Sequence, residues 1–279
     1  MSEERFKSQL IVLGSGTSVS GLGWEKTERW PPAFLLEGAG PELVLLEASE
    51  GVRYRIQNSG KEYTRVSDVL ISHLHPDHFN LVPFVQSVVI KGYWGGEKFK
   101  REALNVYGPK GIEKAFWRIW KIKVGEHPSS VYGGLLKLNF FELGGGKTVD
   151  FYGSRLLAFN VFHAYGKVKS LAFRLETNQG VFAYLGDGGP SPGLEEAIKK
   201  VDIFLSEVSA DIGEDKSTTS GHLNPYQVGE LAQRAGVKKL LMTHYSGRDS
   251  PEAMIKDCRR SRFKGDILAI KDGDKIRIP

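Results

Sequence analysis

Short apolar runs separated by turn-forming residues fill the first two thirds of the chain, a pattern typical of β-strands. Most of these runs stop at a turn that contains glycine, proline or asparagine. The runs that predict strands are 9–13, 33–37, 43–47, 69–71, 104–107, 156–162, 171–175 and 181–185. Runs 33–37 and 43–47 flank one turn and runs 171–175 and 181–185 flank another, so each pair is predicted to form two strands joined by that turn.

The last third of the chain changes to helices that alternate with strands. Ser191, Asn224 and Ser250 each precede a proline. An N-cap side chain followed by proline at the first helical position predicts the start of a helix. Strands are predicted between these helices, at 203–206 and 239–243.

Two further segments complete the fold prediction. Residues 111–123 carry apolar side chains at helical spacing and basic side chains elsewhere. A nucleic-acid surface is one interpretation, and a helix packed on the core with a solvated charged face is the preferred one. Residues 267–278 are predicted to form a hairpin about Asp272 and Gly273. Since strand-rich blocks precede the helices in both halves, we expect two packed sheets with helices outside.

Metal-ligating side chains follow several of the predicted strands. Four strands lead into His73, His163, Asp187 or His244. Because strand ends on one rim of a sheet converge, residues far apart in sequence can meet there. Imidazole and carboxylate ligands suit zinc, manganese or iron. A shared carboxylate such as Asp187 suits a pair of metals about 3.5–4 Å apart.

The loop 73–78 (HLHPDH) holds three imidazoles and a carboxylate directly after an apolar run. Alternate residues of a tight loop point the same way, so His73 and His75 are expected at one metal. Asp77 and His78 are then expected at a second. A solvated histidine-rich loop is the competing interpretation.

Composition limits the class of protein. The chain has 279 residues, of which 41% are hydrophobic and 25% charged, as in ordinary globular proteins. The single cysteine, Cys258, cannot form an internal disulfide and fits a reducing cytoplasm. No apolar run approaches the roughly 18 residues of a membrane span, and the N-terminus lacks a signal-peptide core. We therefore expect a cytoplasmic protein with no membrane partner. The net charge of +5 favours anionic substrates, but it is too diffuse to indicate nucleic-acid binding by itself.

The order of these motifs resembles the metallo-β-lactamase superfamily. Loop 73–78 matches its His-x-His-x-Asp-His signature, and His163, Asp187 and His244 follow in the order of its remaining ligands. The resemblance covers essentially the whole chain and is closest to the ribonuclease Z-like branch. The segments that carry this closer resemblance are 107–111 (YGPKG), 221–223 (GHL) and 241–246 (LMTHYS), with the pair Glu207 and His222.

The resemblance implies a fold, a cofactor and a set of site residues. The implied fold is an α+β protein, a four-layer αβ/βα sandwich that forms one domain over residues 1–279. The implied cofactors are two divalent metal ions, with zinc preferred and manganese or iron as alternatives. The implied ligands are His73, His75 and His163 at one ion, Asp77, His78 and His244 at the other, and Asp187 between them. Asp77, Glu207 and His222 are the implied catalytic residues, the last two as a proton-transfer pair. A structural role is the alternative for His222.

Three departures from the branch pattern change these expectations. Residues 47–50 read EASE where the branch has an Asp-Cys-Gly-Glu-like segment, so Glu47 is the candidate acceptor behind a ligand histidine. Pro76 replaces a glycine and stiffens loop 73–78. Only residues 164–186 separate His163 from Asp187, which leaves no room for the long arm with which tRNA-processing members grip tRNA. tRNA is therefore not expected as a partner.

The preferred function is a dinuclear metal-dependent phosphodiesterase with a small anionic or phosphodiester substrate, in which metal-bound hydroxide attacks. A sulfatase, a lactonase or a promiscuous β-lactamase on the same site is one alternative. A non-catalytic module that binds nucleic acid or a partner is another, and a homodimer is left open. The loop with Trp24, Arg29 and Trp30 is either a rim for substrate contact or packed beneath the surface.

Overall fold

The first sheet contains seven strands in the order β14-β1-β2-β3-β4-β5-β6. The computed structural model describes residues 8–26, 28–95, 103–125 and 136–278. The strands of this sheet are β1 (Gln9–Gly14), β2 (Ala33–Glu37), β3 (Leu43–Leu46), β4 (Val66–Leu70), β5 (Ala103–Pro109), β6 (Lys137–Leu143) and β14 (Lys275–Arg277). Strands β3 to β6 are parallel, so their carboxyl ends share one edge.

The second sheet also contains seven strands, in the order β13-β12-β11-β10-β9-β8-β7. They are β7 (Lys147–Phe151), β8 (Ser154–Val161), β9 (Ser170–Glu176), β10 (Val181–Leu185), β11 (Ile203–Glu207), β12 (Lys239–Thr243) and β13 (Asp266–Ala269). Strands β7 to β10 are antiparallel, and β10 to β13 are parallel. The predicted strand pairs β2–β3 and β9–β10 are both present.

Four of the six helices described begin within a residue of where the sequence predicts them. They are α1 (Val52–Asn58), α2 (Leu81–Gly95), α3 (Ile112–Lys123), α4 (Pro192–Ile198), α5 (Pro225–Ala235) and α6 (Pro251–Arg260). The side chains of Ser191, Asn224 and Ser250 cap α4, α5 and α6 by accepting a backbone N–H from the first turn. None of the described helices is both long enough and apolar enough to cross a bilayer.

Three apolar clusters hold four layers together. Alternate residues of a strand face opposite ways, so Phe34 packs between the sheets while Leu35 packs against the helices. The first sheet shares a core with α1, α2 and α3, and the second shares one with α4, α5 and α6. The middle core joins the two sheets. The predicted four-layer sandwich is confirmed.

Helix α3 is a core helix, as preferred from its pattern. Ile112, Phe116 and Trp120 are buried, whereas Arg118 and the lysines near its end are exposed. The helix therefore presents a solvated charged face and an apolar face that packs on the first sheet.

The hairpin predicted over residues 267–278 is wrong. Strand β13 pairs with β12 in the second sheet, whereas β14 pairs with β1 in the first. The intervening turn is fixed to the first sheet, because Gly273 N–H donates to Val12 C=O and the Asp272 carboxylate accepts from the backbone N–H of Ser15. These contacts carry the chain from one sheet to the other, so the two strands cannot pair.

Candidate metal site

Metal-ligating side chains from both sheets meet at one edge of the molecule. His73 lies just beyond β4 of the first sheet, while His163, Asp187 and His244 lie just beyond β8, β10 and β12 of the second. All four residues are buried, with at most 4% of their surface exposed. The predicted convergence therefore occurs between the edges of two packed sheets rather than along the rim of one, because the sheets stack with these strand ends together.

The first group of candidate ligands contains His73, His75, His163 and Asp187, whose ligand atoms all lie within 4.8 Å of one another. His163 Nε2 is 3.2 Å from His75 Nδ1. Asp187 Oδ2 lies 3.7 Å from His73 Nε2 and 3.8 Å from His163 Nε2. Three imidazole nitrogens and one carboxylate oxygen are thus close enough together to bind a single metal ion.

The second group contains Asp77, His78 and His244. His244 Nε2 is 3.3 Å from His78 Nε2 and 3.6 Å from Asp77 Oδ2. Both Asp77 and His78 come from loop 73–78, which turns back on itself because the backbone N–H groups of His78 and Phe79 donate to His75 C=O. The loop can therefore serve both groups.

Asp187 lies between the two groups and directs one oxygen to each. While Oδ2 faces the first group, Oδ1 lies 3.5 Å from His78 Nε2 and 3.2 Å from His244 Nδ1. A carboxylate with one oxygen toward each group could serve ions in both.

The charges of the site act against the effect of burial. Burial raises the pKa of a carboxyl group, but the neighbouring His244, His78 and His73 outweigh it and hold the pKa of Asp187 well below its ordinary value. Burial also raises the pKa of Asp77, but His244 and His78 outweigh it and lower that pKa to about 2. Both carboxylates are therefore ionised at neutral pH, as metal ligands must be.

The histidines divide into two classes. Burial, reinforced by the charge of His78, lowers the pKa of His73 well below its ordinary value, and burial also lowers the pKa of His163. For His78 the carboxylates of Asp187 and Glu47 overcome burial and raise the pKa well above its ordinary value. His73 and His163 are thus neutral imidazoles, the form that ligates metals, whereas His78 would have to release a proton to bind an ion.

Unpartnered polar atoms test whether a metal fits. Among the described residues, the buried atoms His73 Nε2 and Asp187 Oδ1 have no hydrogen-bond partner. A buried polar atom without a partner costs free energy. A divalent cation would satisfy both atoms, and the set of nitrogen and oxygen donors fits zinc, manganese or iron.

Glu207 and His222 form a pair beside the first group. Glu207 ends β11, fully buried, and its carboxylate accepts the backbone N–H groups of Ser209 at 2.7 Å and Leu223 at 3.1 Å. Its Oε1 lies 3.4 Å from His222 Nδ1, and the His222 ring contacts the His163 ring with centroids 5.1 Å apart. Burial opposes a charged imidazole, but Glu207 raises the pKa of His222 to about 9.

The ligand atoms of a third combination, Asp187 with Glu207 and His244, are also close enough together to hold a metal ion. Both oxygens of Glu207 are already held by backbone N–H groups, so this combination is the weaker candidate.

The loop with Trp24, Arg29 and Trp30 lies on the His244 side. Its backbone pairs with the segment after His244, since Trp24 N–H donates to Arg248 C=O. Trp24 and Trp30 are 59% and 50% exposed, so they are available as a rim rather than packed beneath the loop. Arg29 is committed elsewhere, because its side chain is 8% exposed and its guanidinium stacks on Tyr245 at 4.4 Å. His127, whose place beside Pro128 in the sequence favours a surface position over a ligand role, lies outside the described residues.

Comparison with known proteins supports the family predicted from loop 73–78. Residues 39–245 match the model of the beta-lactamase superfamily domain. The chain belongs to the beta-lactamase superfamily. It is a hydrolase of that superfamily, and the family and fold predicted from the sequence are confirmed.

Relatives within the superfamily extend over most of the chain. A ribonuclease Z from Ignicoccus hospitalis is 27% identical over 91% of this chain and 91% of its own length. The metallo-beta-lactamase fold protein YhfI from Bacillus subtilis has a TM-score of 0.76 at 17% identity, covering 98% of this chain and 100% of that protein. Human tRNase Z, short form, has a TM-score of 0.74 at 20% identity, covering 97% and 99%. The sequence analysis did not expect tRNA as a partner. The names of the ribonuclease Z and of the human tRNase Z agree only in part with that expectation.

The superfamily motifs leave several supporting residues unidentified. Ser72 Oγ contacts His73 Nδ1 at 3.0 Å, and Ser209 Oγ contacts His244 Nδ1. Tyr184 O–H donates to the Glu47 carboxylate at 3.0 Å. Ser72 could have been found as the neighbour of His73, but Ser209 and Tyr184 carry no sequence signal, since one lies in a loop and the other is an ordinary strand residue.

Glu47 occupies the place expected for the acceptor behind a ligand histidine. Its buried carboxylate lies 3.6 Å from His78 Nδ1 and accepts the Ser72 backbone N–H. Glu47 and His244 both have left-handed backbones, with φ of 60° and 56°. Such conformations are costly for residues other than glycine and cluster at functional sites.

Proposed function

We propose that this superfamily member is a dinuclear metal-dependent phosphodiesterase. The observation that carries the proposal is the division of the Asp187 carboxylate, with one oxygen toward the first group and the other toward the second. A carboxylate shared in this way is typical of two-metal hydrolases that act on phosphate esters.

Each ion would have its own residues. His73, His75 and His163 would hold one ion and Asp77, His78 and His244 the other, with Asp187 shared. Bound divalent ions, with zinc preferred, would supply a nucleophile at neutral pH and neutralise charge on the phosphoryl group. Loop 73–78 would orient its ligands rigidly, since Ser72 and Glu47 contact His73 and His78 from behind.

His222 would hold the proton for the leaving group. With a pKa of about 9 it is protonated at neutral pH, so it can donate that proton as an alkoxide leaves. Glu207 would keep the imidazole charged and oriented, because its own carboxylate is fixed by two backbone N–H groups.

The proposed substrate is a phosphodiester, with RNA among the candidates. The names of the ribonuclease Z and tRNase Z relatives support RNA. The short connection 164–186 indicates that RNA would have to be bound without an arm at that place. A cytoplasmic location and a homodimer remain predictions.

Metal analysis tests the dinuclear site. The wild-type chain should hold about two divalent ions after purification, and Asp187→Ala should lose them. Asp202→Ala is the matched control, since Asp202 is a carboxylate of the same sheet paired with Lys238 away from the site. Less than one ion per wild-type chain would overturn the proposal.

A substrate panel tests the bond that is broken. Bis(p-nitrophenyl) phosphate should be hydrolysed with zinc or manganese faster than a sulfate ester, a lactone or a β-lactam. If the metal-loaded protein hydrolyses no phosphodiester, a sulfatase, lactonase or β-lactamase becomes the favoured function. If it hydrolyses none of the four substrates, a non-catalytic binding module is favoured.

A further inference from the structure

An open groove of about 640 Å³ lies beside the candidate metal site. Its walls come from the segments that follow β5 and β6 and from the facing ends of β8 and β9. Lys110, Lys147 and Lys169 line it, and all three are exposed. At the β6–β7 turn Gly144 packs closely on the groove residue Asn160, since a Cβ there would lie 2.5 Å from Asn160 Oδ1.

The three lysines bring uncompensated positive charge to this groove. Within the described residues none of them forms an ion pair with a carboxylate. Their recorded contacts are with backbone carbonyls, Lys169 with Lys110 C=O at 3.4 Å and Lys147 with Glu142 C=O at 3.3 Å. Glu142 also lines the groove, and its single negative charge offsets one of the three lysines while its carboxylate accepts the Gly111 backbone N–H at 2.6 Å. The groove therefore keeps a net positive charge.

The groove is continuous with the strand ends that carry the candidate ligands. Strands β4, β5 and β6 are parallel neighbours, so the residue after β5, Lys110, lies on the same edge as His73. Two strand spacings separate β4 from β6, a distance of about 10 Å. On the opposite wall, Lys169 precedes Ser170, whose Oγ donates to Asp187 C=O at 2.6 Å.

We propose that Lys110, Lys147 and Lys169 form a subsite for a second phosphate group of the substrate, one that is not cleaved. The subsite rests on the proposed phosphodiesterase function and narrows it to substrates with more than one phosphate. Lysine ammonium groups are compact point charges that suit phosphate, and three of them in a groove at the same strand ends as the candidate ligands fit a phosphate beyond the one that is cleaved.

Two sources could supply that phosphate: the backbone of a single-stranded nucleic acid, or a small molecule with two phosphates. Phosphate contacts along a strand add a dependence on salt, because each neutralised phosphate releases counterions. The number of phosphates bound can therefore be measured from the salt dependence of binding, independently of hydrolysis.

The test replaces all three lysines with glutamine and compares this variant with a control in which Lys199, Lys256 and Lys264 are replaced instead. The control lysines are also exposed and lie in or near α4 and α6, so both variants lose the same charge. The metal-loaded proteins are assayed with bis(p-nitrophenyl) phosphate and with a labelled ten-nucleotide RNA. Binding of the labelled RNA is measured by anisotropy over a range of salt concentrations, with a nucleoside 3′,5′-bisphosphate as competitor.

The groove variant should bind the RNA at least tenfold more weakly than the control variant, and its slope of log K against log salt should be smaller by about 2 units. Hydrolysis of bis(p-nitrophenyl) phosphate, which carries a single phosphate, should be unchanged. If the bisphosphate displaces RNA less well from the groove variant than from the control, a small molecule with two phosphates can occupy the subsite. If only RNA binding changes, the second phosphate comes from a nucleic-acid strand. Equal RNA and bisphosphate binding by the two variants would overturn the subsite. Failure of the wild type to cleave any phosphodiester would instead overturn the proposed function.

Discussion

The two sheets contribute to the candidate metal site in different ways. The first sheet supplies four of its residues from one loop, 73–78, directly after β4. The second supplies His163, Asp187 and His244 one at a time, from the ends of three strands. One half of the site is thus encoded locally and the other depends on strand order. Loop 73–78 can therefore be recognised as a ligand cluster from its own sequence. The three residues at the strand ends come together only when the second sheet has formed.

A first prediction asks whether the local and the distributed halves form one unit. His75→Ala removes a residue of the loop and His163→Ala a strand-end residue, both from the first group. Each should lose bound metal and reduce kcat by about 10³-fold, since a catalytic metal contributes several kcal/mol. Metal content and bis(p-nitrophenyl) phosphate hydrolysis measure the effect. A variant that keeps the wild-type metal content and full activity would contradict the assignment of its residue as a ligand.

A second prediction separates proton transfer from metal binding. For a phosphodiester with an alcohol leaving group, His222→Ala should lower kcat by about 10²-fold, because a positioned acid contributes roughly this factor. The metal content should stay that of the wild type, since His222 contacts the first group without belonging to it. The activity of His222→Ala should recover with bis(p-nitrophenyl) phosphate, because its leaving group, p-nitrophenolate, needs no proton. Loss of metal together with activity would contradict the assignment.

A third prediction compares the two serines that support ligands from opposite sheets. Ser72→Ala removes the contact to His73, and Ser209→Ala removes the contact to His244. Each should weaken metal affinity by about 10–100-fold, the usual effect of a residue behind a ligand histidine. Titration with a metal chelator measures it. Wild-type affinity in Ser209→Ala would mean that strand β12 alone fixes His244.

A fourth prediction concerns pH. His222 must be protonated to act as the acid, so activity should fall as the pH rises through its pKa, which Glu207 raises to about 9. Glu207→Gln removes that charge, lowers the pKa of His222 and moves the alkaline loss of kcat to lower pH, with little change on the acid side. The pH profile of kcat for a phosphodiester with an alcohol leaving group measures the shift. An unchanged alkaline limb would exclude His222 as its source.

The smallest expected effect concerns the contact that joins the sheets behind the site. Tyr184 on β10 donates to Glu47, which follows β3 of the other sheet. Tyr184→Phe should lower the free energy of unfolding by about 1.5–3 kcal/mol, the contribution of a hydrogen bond to a charged group. Urea denaturation measures it, with the exposed Tyr54→Phe as control. Equal stability of the two variants would show that Glu47 is satisfied without Tyr184.

Local sequence predicted much of the fold, because strands, caps and turns depend on neighbouring residues. The helix starts at Ser191, Asn224 and Ser250 are set by capping side chains and the proline that follows each. The hairpin over 267–278 failed for the opposite reason, since the turn at Asp272 is held by residues near the N-terminus. A local turn signal carries no information about which sheet receives the next strand.

By itself the sequence determined the chemistry at the loop 73–78 and, through the order of His163, Asp187 and His244, the superfamily. Only the tertiary structure decided that Asp187 directs its two oxygens to different groups, that Tyr184 and Ser209 stand behind the site, and that three lysines share one groove. Ligand chemistry is a property of residue type and therefore legible along the chain. Distances between strand ends depend on how two sheets stack, and that is decided by the apolar core between them.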